Sequence, residues 1–204
     1  MPTKTLINGH KSFKNDFKKK ENLFLNLAKK GQKPKVLWIG CSDSRVIPEQ
    51  IMGTEPGELF VHRNIANIIP PINSNESCTA SVIEYAINAL KIDHIVICGH
   101  SECGGIKAIL NDSGSKDETA ITKWLKNALP SKEKILTKNP NSENLYLDII
   151  KENVLLQKEH LLSYDFINTK YQNGKINIHA WLYCVHKGEI SFYNSDEQIW
   201  TALI

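Results

Sequence analysis

Lys35-Val36-Leu37-Trp38-Ile39-Gly40-Cys41-Ser42-Asp43-Ser44-Arg45 is the stretch on which the fold turns. Its first five residues form a short run rich in β-formers and apolar after Lys35, the pattern of a buried strand. The run stops at Gly40 and gives way to polar residues, so a strand delivering into a polar loop is predicted. The same order recurs at Glu58-Leu59-Phe60-Val61-His62 before Arg63-Asn64, and at His94-Ile95-Val96-Ile97-Cys98 before Gly99-His100. Residues 76–90, between the last two, carry helical periodicity. Strand, helix and strand in that order imply parallel pairing.

Outward from this centre, apolar residues at helical intervals over residues 6–28 (Phe13, Phe17, Phe24, Leu25, Leu27, Ala28) end near Gly31 and Pro34. Residues 1–34 are therefore expected to form an amphipathic N-terminal helical arm. Helical patterns resume at 119–129 and 145–166. A closing pair of strands, 175–185 and 190–193, is joined through Lys187-Gly188 and reads as a hairpin. Residues 111–116 and 139–142 read as surface loops. There is no internal repeat and no long linker, so the expectation is one α/β domain over residues 1–204: a mostly parallel central sheet flanked by helices.

With 204 residues, 41% of them hydrophobic and 23% charged, the chain can bury a core without disulfide staples. Its 25 basic and 22 acidic side chains leave a formal charge of +3, which demands no nucleic-acid partner. The one basic cluster, Lys18-Lys19-Lys20, is followed by Glu21 within a helical pattern and reads as a solvated face. No segment approaches the roughly 20 apolar residues that span a bilayer, and residues 1–10 lack the apolar centre of a signal peptide, so a cytoplasmic location without membrane attachment is expected. Five cysteines, an odd set without dense spacing, suggest metal or catalysis in a reducing compartment.

Open parallel α/β sheets carry their sites beyond the carboxyl ends of the strands. Cys41 and His100 both fall there, and if the strands ending at Ile39 and Cys98 are neighbours, both side chains converge on one centre. Cys103 joins through the spacing His100-X-X-Cys103. Two thiolates and an imidazole suit a borderline-soft ion such as zinc, and three protein ligands leave a fourth position open. Gly104-Gly105 would let the backbone approach that centre closely. Asp43 and Arg45, two residues apart in a segment expected to be extended, can pair by charge-assisted hydrogen bonds. Singly, each feature has an ordinary structural counterpart: a cysteine at a strand end packs as a small hydrophobe, and one His-X-X-Cys is a weak pattern.

Taken together, Cys41-Ser42-Asp43-Ser44-Arg45 and His100-Ser101-Glu102-Cys103-Gly104-Gly105 resemble the two signature motifs of β-class carbonic anhydrases. The resemblance runs over residues 37–46, 56–67 and 94–106, with a weaker echo at 179–188. It implies reversible hydration of carbon dioxide to bicarbonate, with one zinc ion per chain on Cys41, His100 and Cys103, and Asp43 and Arg45 as a catalytic dyad. Zinc would lower the pKa of its bound water toward about 7, generating hydroxide to attack carbon dioxide; two thiolate ligands would favour activity at alkaline pH. The family also implies homodimers or homotetramers braced by the arm.

Trp38, Arg63 and Tyr183 match positions that in one subgroup of the family form a second, non-catalytic bicarbonate pocket linked to closure of Asp43 onto zinc as a fourth ligand, which implies regulation by bicarbonate and pH. An arginine, a phenol and an indole N–H can hold a small oxyanion, although an aromatic in a strand also serves as core packing. The alternative substrate for the same metal chemistry is carbon disulfide or carbonyl sulfide. Two further readings compete: Cys41 as a nucleophile activated by His100, which leaves Cys103 and the Asp43–Arg45 pair unexplained, and a structural zinc site or bicarbonate sensor.

Overall fold

The apolar runs become the centre of a six-stranded sheet among the residues that the computed structural model describes, 2–74, 76–112 and 118–203. The strands are β1 (Val36–Cys41), β2 (Leu59–Asn64), β3 (His94–His100), β4 (Asn177–Cys184), β5 (Glu189–Asn194) and β6 (Ile199–Ala202), in spatial order β2-β1-β3-β4-β5-β6. The first four are mutually parallel, and β4-β5-β6 continue antiparallel. The predicted hairpin is therefore present as β4–β5. The edge strand β6 was not foreseen: four residues, none of them buried, carry almost no hydrophobic signal.

Helices α1 (Pro2–Lys19), α2 (Glu21–Lys30), α3 (Pro48–Met52), α4 (Cys78–Glu84, continued by a π turn over Tyr85–Ala89), α5 (Gly104–Leu110), α6 (Ala120–Leu125), α7 (Leu129–Lys138), α8 (Leu145–Leu162) and α9 (Asp165–Gln172) connect and flank the sheet. The helical pattern at 145–166 resolves into two helices: Tyr164 adopts an extended conformation ahead of Asp165 and divides them. Helix α7 was not predicted, because its sequence LPSKEKILTK buries only Ser131. Of the expected loop at 111–116, Asn111 and Asp112 form a turn and the rest lies outside the described residues.

Strand alternation splits the sheet into two unlike faces. Leu37 and Ile39 of β1 and Ile95 and Ile97 of β3 point to one face and are fully buried, together with Val154 and Leu161 of α8 and Ile167 of α9. Each such side chain contributes roughly 1.5–3 kcal/mol on burial. On the opposite face Trp38, Val96 and Cys98 pack with Val36, Val61, Trp181 and Tyr183, and α3 supplies Met52.

The arm folds on itself. Phe17 stacks on Phe24 at a centroid distance of 4.5 Å with Phe13 beside both, yet no residue of α1 or α2 is buried. It meets the body where Lys20 pairs with Glu55 at 2.8 Å and where Leu27 lies over Gly57. Lys19 pairs with Asp16, so the basic cluster is a solvated, locally compensated face.

Candidate metal centre

Because β1 and β3 are adjacent, with Gly40 opposite Cys98, the two loops after them open side by side. Cys41 ends β1, His100 ends β3, and Cys103 follows one tight turn later, in which Glu102 takes a positive φ of 60°. The Sγ atoms of Cys41 and Cys103 and a ring nitrogen of His100 lie within 4.8 Å of one another, and all three residues are buried. This is the group of three metal-ligating side chains found among the described residues.

Each donor is prepared for a cation. His100 Nδ1 lies 2.8 Å from the carbonyl oxygen of Ser101, an acceptor only, so Nδ1 carries the proton and Nε2 has a free lone pair. That Nε2 is buried without a hydrogen-bond partner. The Cys41 thiol is held well below its ordinary value, first by a hydrogen bond from Cys103, against the cost of burial, and further by the main chain of Asp43 and Ala66. The Cys103 thiol is pushed up by that shared hydrogen bond, by burial and by the Cys41 charge. Cys41 and Cys103 sharing one proton would release it to solvent if a dication bound, and would then hold that ion as two thiolates. An orphaned imidazole nitrogen and two convergent sulfurs fit zinc.

Asp43 stands beside this group, its Oδ2 3.9 Å from His100 Nε2. Arg45 grips the carboxylate with Nε to Oδ1 at 2.9 Å and Nη2 to Oδ2 at 2.8 Å, and Nη2 also donates to the Glu102 carbonyl at 3.0 Å. The Arg45 guanidinium holds the Asp43 carboxyl far below the usual carboxylate range. The segment is a turn and not the extended stretch expected: Oδ1 also accepts the Arg45 main-chain N–H at 3.0 Å, and Val46 N–H donates to the Asp43 carbonyl at 2.9 Å. An aspartate side chain that mimics a turn in this way outcompetes extension.

A cavity of about 340 Å³ opens onto the site, lined by Cys41, Ser42, Asp43, Gly104, Gly105 and the apolar Ile65, Ala108, Ile121 and Leu125. A larger one of about 710 Å³, between α8 and the β4–β5 hairpin, includes none of the three ligands nor Asp43, so chemistry and not volume selects the smaller. The expected need for glycine holds at Gly105, where a Cβ would come within 3.0 Å of Ala66 Cβ and 3.1 Å of Ile65 Cγ2; at Gly104 nothing lies within 4 Å.

A family model described as carbonic anhydrase matches residues 36–190. The carbonic anhydrase of Synechococcus elongatus is 37% identical over 188 residues, covering 91% of this chain and 69% of the relative. The solved β-carbonic anhydrase CcaA superposes with a TM-score of 0.92 at 34% identity, over 99% of this chain and 92% of that one. One of two tetrameric β-carbonic anhydrases of Sordaria macrospora superposes with a TM-score of 0.82 at 31% identity, over 97% of each chain. The chain belongs to the β-carbonic anhydrase family.

As a carbonic anhydrase it hydrates carbon dioxide, and its Cys-His-Cys group is compatible with zinc. Among the described residues no helix is long and apolar enough to cross a membrane. Trp38, Arg63 and Tyr183 share the less covered face. The Trp38 indole Nε1 is buried without a partner and lies over Gly40, whose register partner is Arg63. Tyr183 packs into the same cluster. Arg63 reaches the main chain of the site, with Nε to the Cys41 carbonyl at 2.8 Å and Nη2 to the Asp43 carbonyl at 2.6 Å. Sequence reasoning missed Tyr146, whose hydroxyl donates to the Cys103 carbonyl at 2.6 Å and whose pKa burial raises. A tyrosine in the first turn of an amphipathic helix carries no signal that distinguishes this contact from packing.

Proposed function

We propose that the chain interconverts carbon dioxide and bicarbonate with one zinc ion held by Cys41 Sγ, His100 Nε2 and Cys103 Sγ. The observation that carries this is the unpartnered, lone-pair-bearing His100 Nε2 converging with two sulfurs beside the Asp43 carboxylate. Zinc bound there supplies a Lewis acid that makes a nucleophilic hydroxide from water near neutral pH. The protein does the rest. Asp43, held ionised by Arg45, accepts a hydrogen bond from the attacking oxygen's proton and so aims its lone pair at the substrate. Ile65, Ala108, Ile121 and Leu125 give an apolar substrate a dry surface from which a charged product is expelled. Nothing observed favours carbon disulfide or carbonyl sulfide. Stopped-flow carbon dioxide hydration across pH, with zinc measured in the same sample, tests the assignment: fast hydration rising with pH and about one zinc per chain are expected, and full zinc with no hydration at any pH would refute it.

Regulation by bicarbonate is the second element of the proposal. Arg63 ties the carbonyls of Cys41 and Asp43, and it neighbours an indole N–H that has no partner. A bicarbonate taken up by Trp38, Arg63 and Tyr183 would compete for that guanidinium and loosen the Asp43 turn, freeing the carboxylate to become a fourth zinc ligand.

Homodimers or homotetramers complete the proposal: no residue of the arm is fully buried in its own chain and Leu6, Ile7 and Phe13 are exposed, and the Sordaria relatives are described as tetrameric. A reducing, cytoplasmic setting belongs to the same reading, because it keeps the ligand thiols of Cys41 and Cys103 from oxidation.

A further inference from the structure

Residues 65–69, between β2 and the crossover to α4, are held in an unusual shape. Ala66 has φ 62° and ψ 28° and Asn67 has φ 49°, two consecutive left-handed residues without a glycine, both buried. Such backbone persists only where its surroundings over-determine it.

The surroundings here are side chains that bond the segment's main chain one group at a time. Trp124 Nε1 donates to the Ile65 carbonyl at 2.9 Å, and Asn64 Nδ2 donates to the Ile68 carbonyl at 2.8 Å while its Oδ1 accepts Ile68 N–H at 2.7 Å. The Ala66 carbonyl is met by Asn153 Nδ2 of α8 at 3.1 Å. Asn153 Oδ1 accepts in turn from Gln157 Nε2 at 2.9 Å, and Gln157 Oε1 accepts Ile69 N–H at 2.7 Å. His160 Nδ1, 2.8 Å from the Ile69 carbonyl and 3.2 Å from Gln157 Oε1, faces two acceptors and so donates to both. Asn153 and Gln157 are 1% and 0% exposed, amides one helical turn apart on the buried face of α8.

Ala66 faces the metal group on its other side. It packs in one cluster with Cys41 and Cys103, its methyl lies against Gly105 in the turn after Cys103, and its neighbour Ile65 lines the cavity.

We propose that Asn153 and Gln157 are positioning residues for the metal centre: by fixing the left-handed Ala66, they set the surface on which Cys41 and Cys103 pack and the space beneath Gly105 in the turn after Cys103. The claim rests on the zinc assignment above, since it concerns how a ligand sulfur is presented. It differs from a purely structural role for the amides in predicting that the metal senses their loss out of proportion to the fold.

The test uses the full-length, zinc-loaded protein and Asn153→Leu, with Tyr164→Phe as the matched control. Tyr164 Oη donates to the Pro70 carbonyl at 2.8 Å, so the control also removes one buried hydrogen bond to this connection, four residues beyond Ala66. Zinc loss to a chromophoric chelator is timed, and the thiolate-to-metal charge-transfer band is recorded with cobalt in place of zinc. Asn153→Leu should lose zinc about 10- to 100-fold faster than wild type and shift the band, with Tyr164→Phe unchanged in both. If Asn153→Leu does not fold, Asn153→Ser, too short to reach the Ala66 carbonyl, is measured in the same way. Adding Ala66→Gly should restore zinc retention, because glycine takes positive φ without being held. Zinc loss no faster than in Tyr164→Phe, an unmoved cobalt band, or no rescue by Ala66→Gly would overturn the inference. A wild-type protein that binds neither zinc nor cobalt would overturn the zinc assignment itself.

Discussion

The two faces of the sheet are built from the same strands and finished to different degrees. On the face under α8, interleaved Leu, Ile and Val side chains are fully buried and the buried amides Asn153 and Gln157 are hydrogen-bonded. Each face holds a buried donor without a partner, Nδ2 of Asn67, whose side chain lies beside Gly99, on the first and the Trp38 indole N–H on the second, but among the described residues only Met52 of α3 reaches the Trp38 cluster from a helix. Cys41 belongs to the first environment and Cys98, fully buried with its thiol raised by desolvation, to the second. The lesson is that burial alone does not make a cysteine reactive. Convergent donors and main-chain N–H groups do, and they sit where the finished face meets the strand ends.

Exchanging one cysteine at a time breaks the comparison most sharply. Cys41→Ser should lose its metal and drop hydration activity by more than about 100-fold, beyond what altered outer-shell contacts cause. Cys98→Ala should keep zinc and activity and lose only about 1 kcal/mol, the cost of a small cavity. Metal content and stopped-flow rates on the two purified variants decide it. Equal loss of zinc in both would mean that the faces are not chemically distinct.

Next in size is the arm. Removing residues 2–30 deletes helices none of whose residues is fully buried in its own chain, so the fold should survive while the assembly falls to a smaller species, read by light scattering coupled to gel filtration. Unchanged mass would exclude the arm as the brace. Below that, Arg45→Ala should lower hydration about 10-fold or more by releasing Asp43. The sign of the pH effect follows from the depressed Asp43 carboxyl. Its contribution to stability is present above the unfolded value of about 4 and is lost as pH falls through the folded value. The thermal stability gap between wild type and Arg45→Ala should therefore be fully open at pH 7, begin to narrow below about pH 4 and still be partly open at pH 3.

The contrast between the faces also explains what could be read from sequence. Strands β1 and β3 are continuous apolar runs that each end on a ligand, so Cys41, His100 and the parallel pairing between them were legible from local pattern alone. Asn153 and Gln157 were not. Within LYLDIIKENVLLQKEHLL, apolar residues recur on nearly all sides, and two amides flanked by charges resemble a solvent-facing strip when they in fact point at the backbone of residues 66–69. The left-handed Ala66 was equally silent, since alanine advertises no positive φ. Helix α7 and strand β6 escaped because neither buries an apolar stripe. Sequence patterns record side chains that meet water or oil; they record poorly the side chains that meet main chain.

Trp38→Phe carries the smallest expected change in the activity of the unliganded enzyme and the finest test of the open face. The substitution removes an N–H that has no partner, so no hydrogen bond is lost, and the smaller ring should cost about 1–3 kcal/mol for the space it leaves in the core. Activity at low bicarbonate should match wild type, because Trp38 touches neither the three ligands' free atoms nor the small cavity. The difference should emerge only as bicarbonate rises. Wild type should slow as the oxyanion draws Arg63 from the Asp43 carbonyl, and Trp38→Phe, short of one donor to that oxyanion, should require more bicarbonate for the same inhibition. Identical inhibition curves would mean that the unpartnered indole is a packing compromise of the less covered face, and that Arg63 serves the Asp43 turn as a strut with no second ligand to answer to.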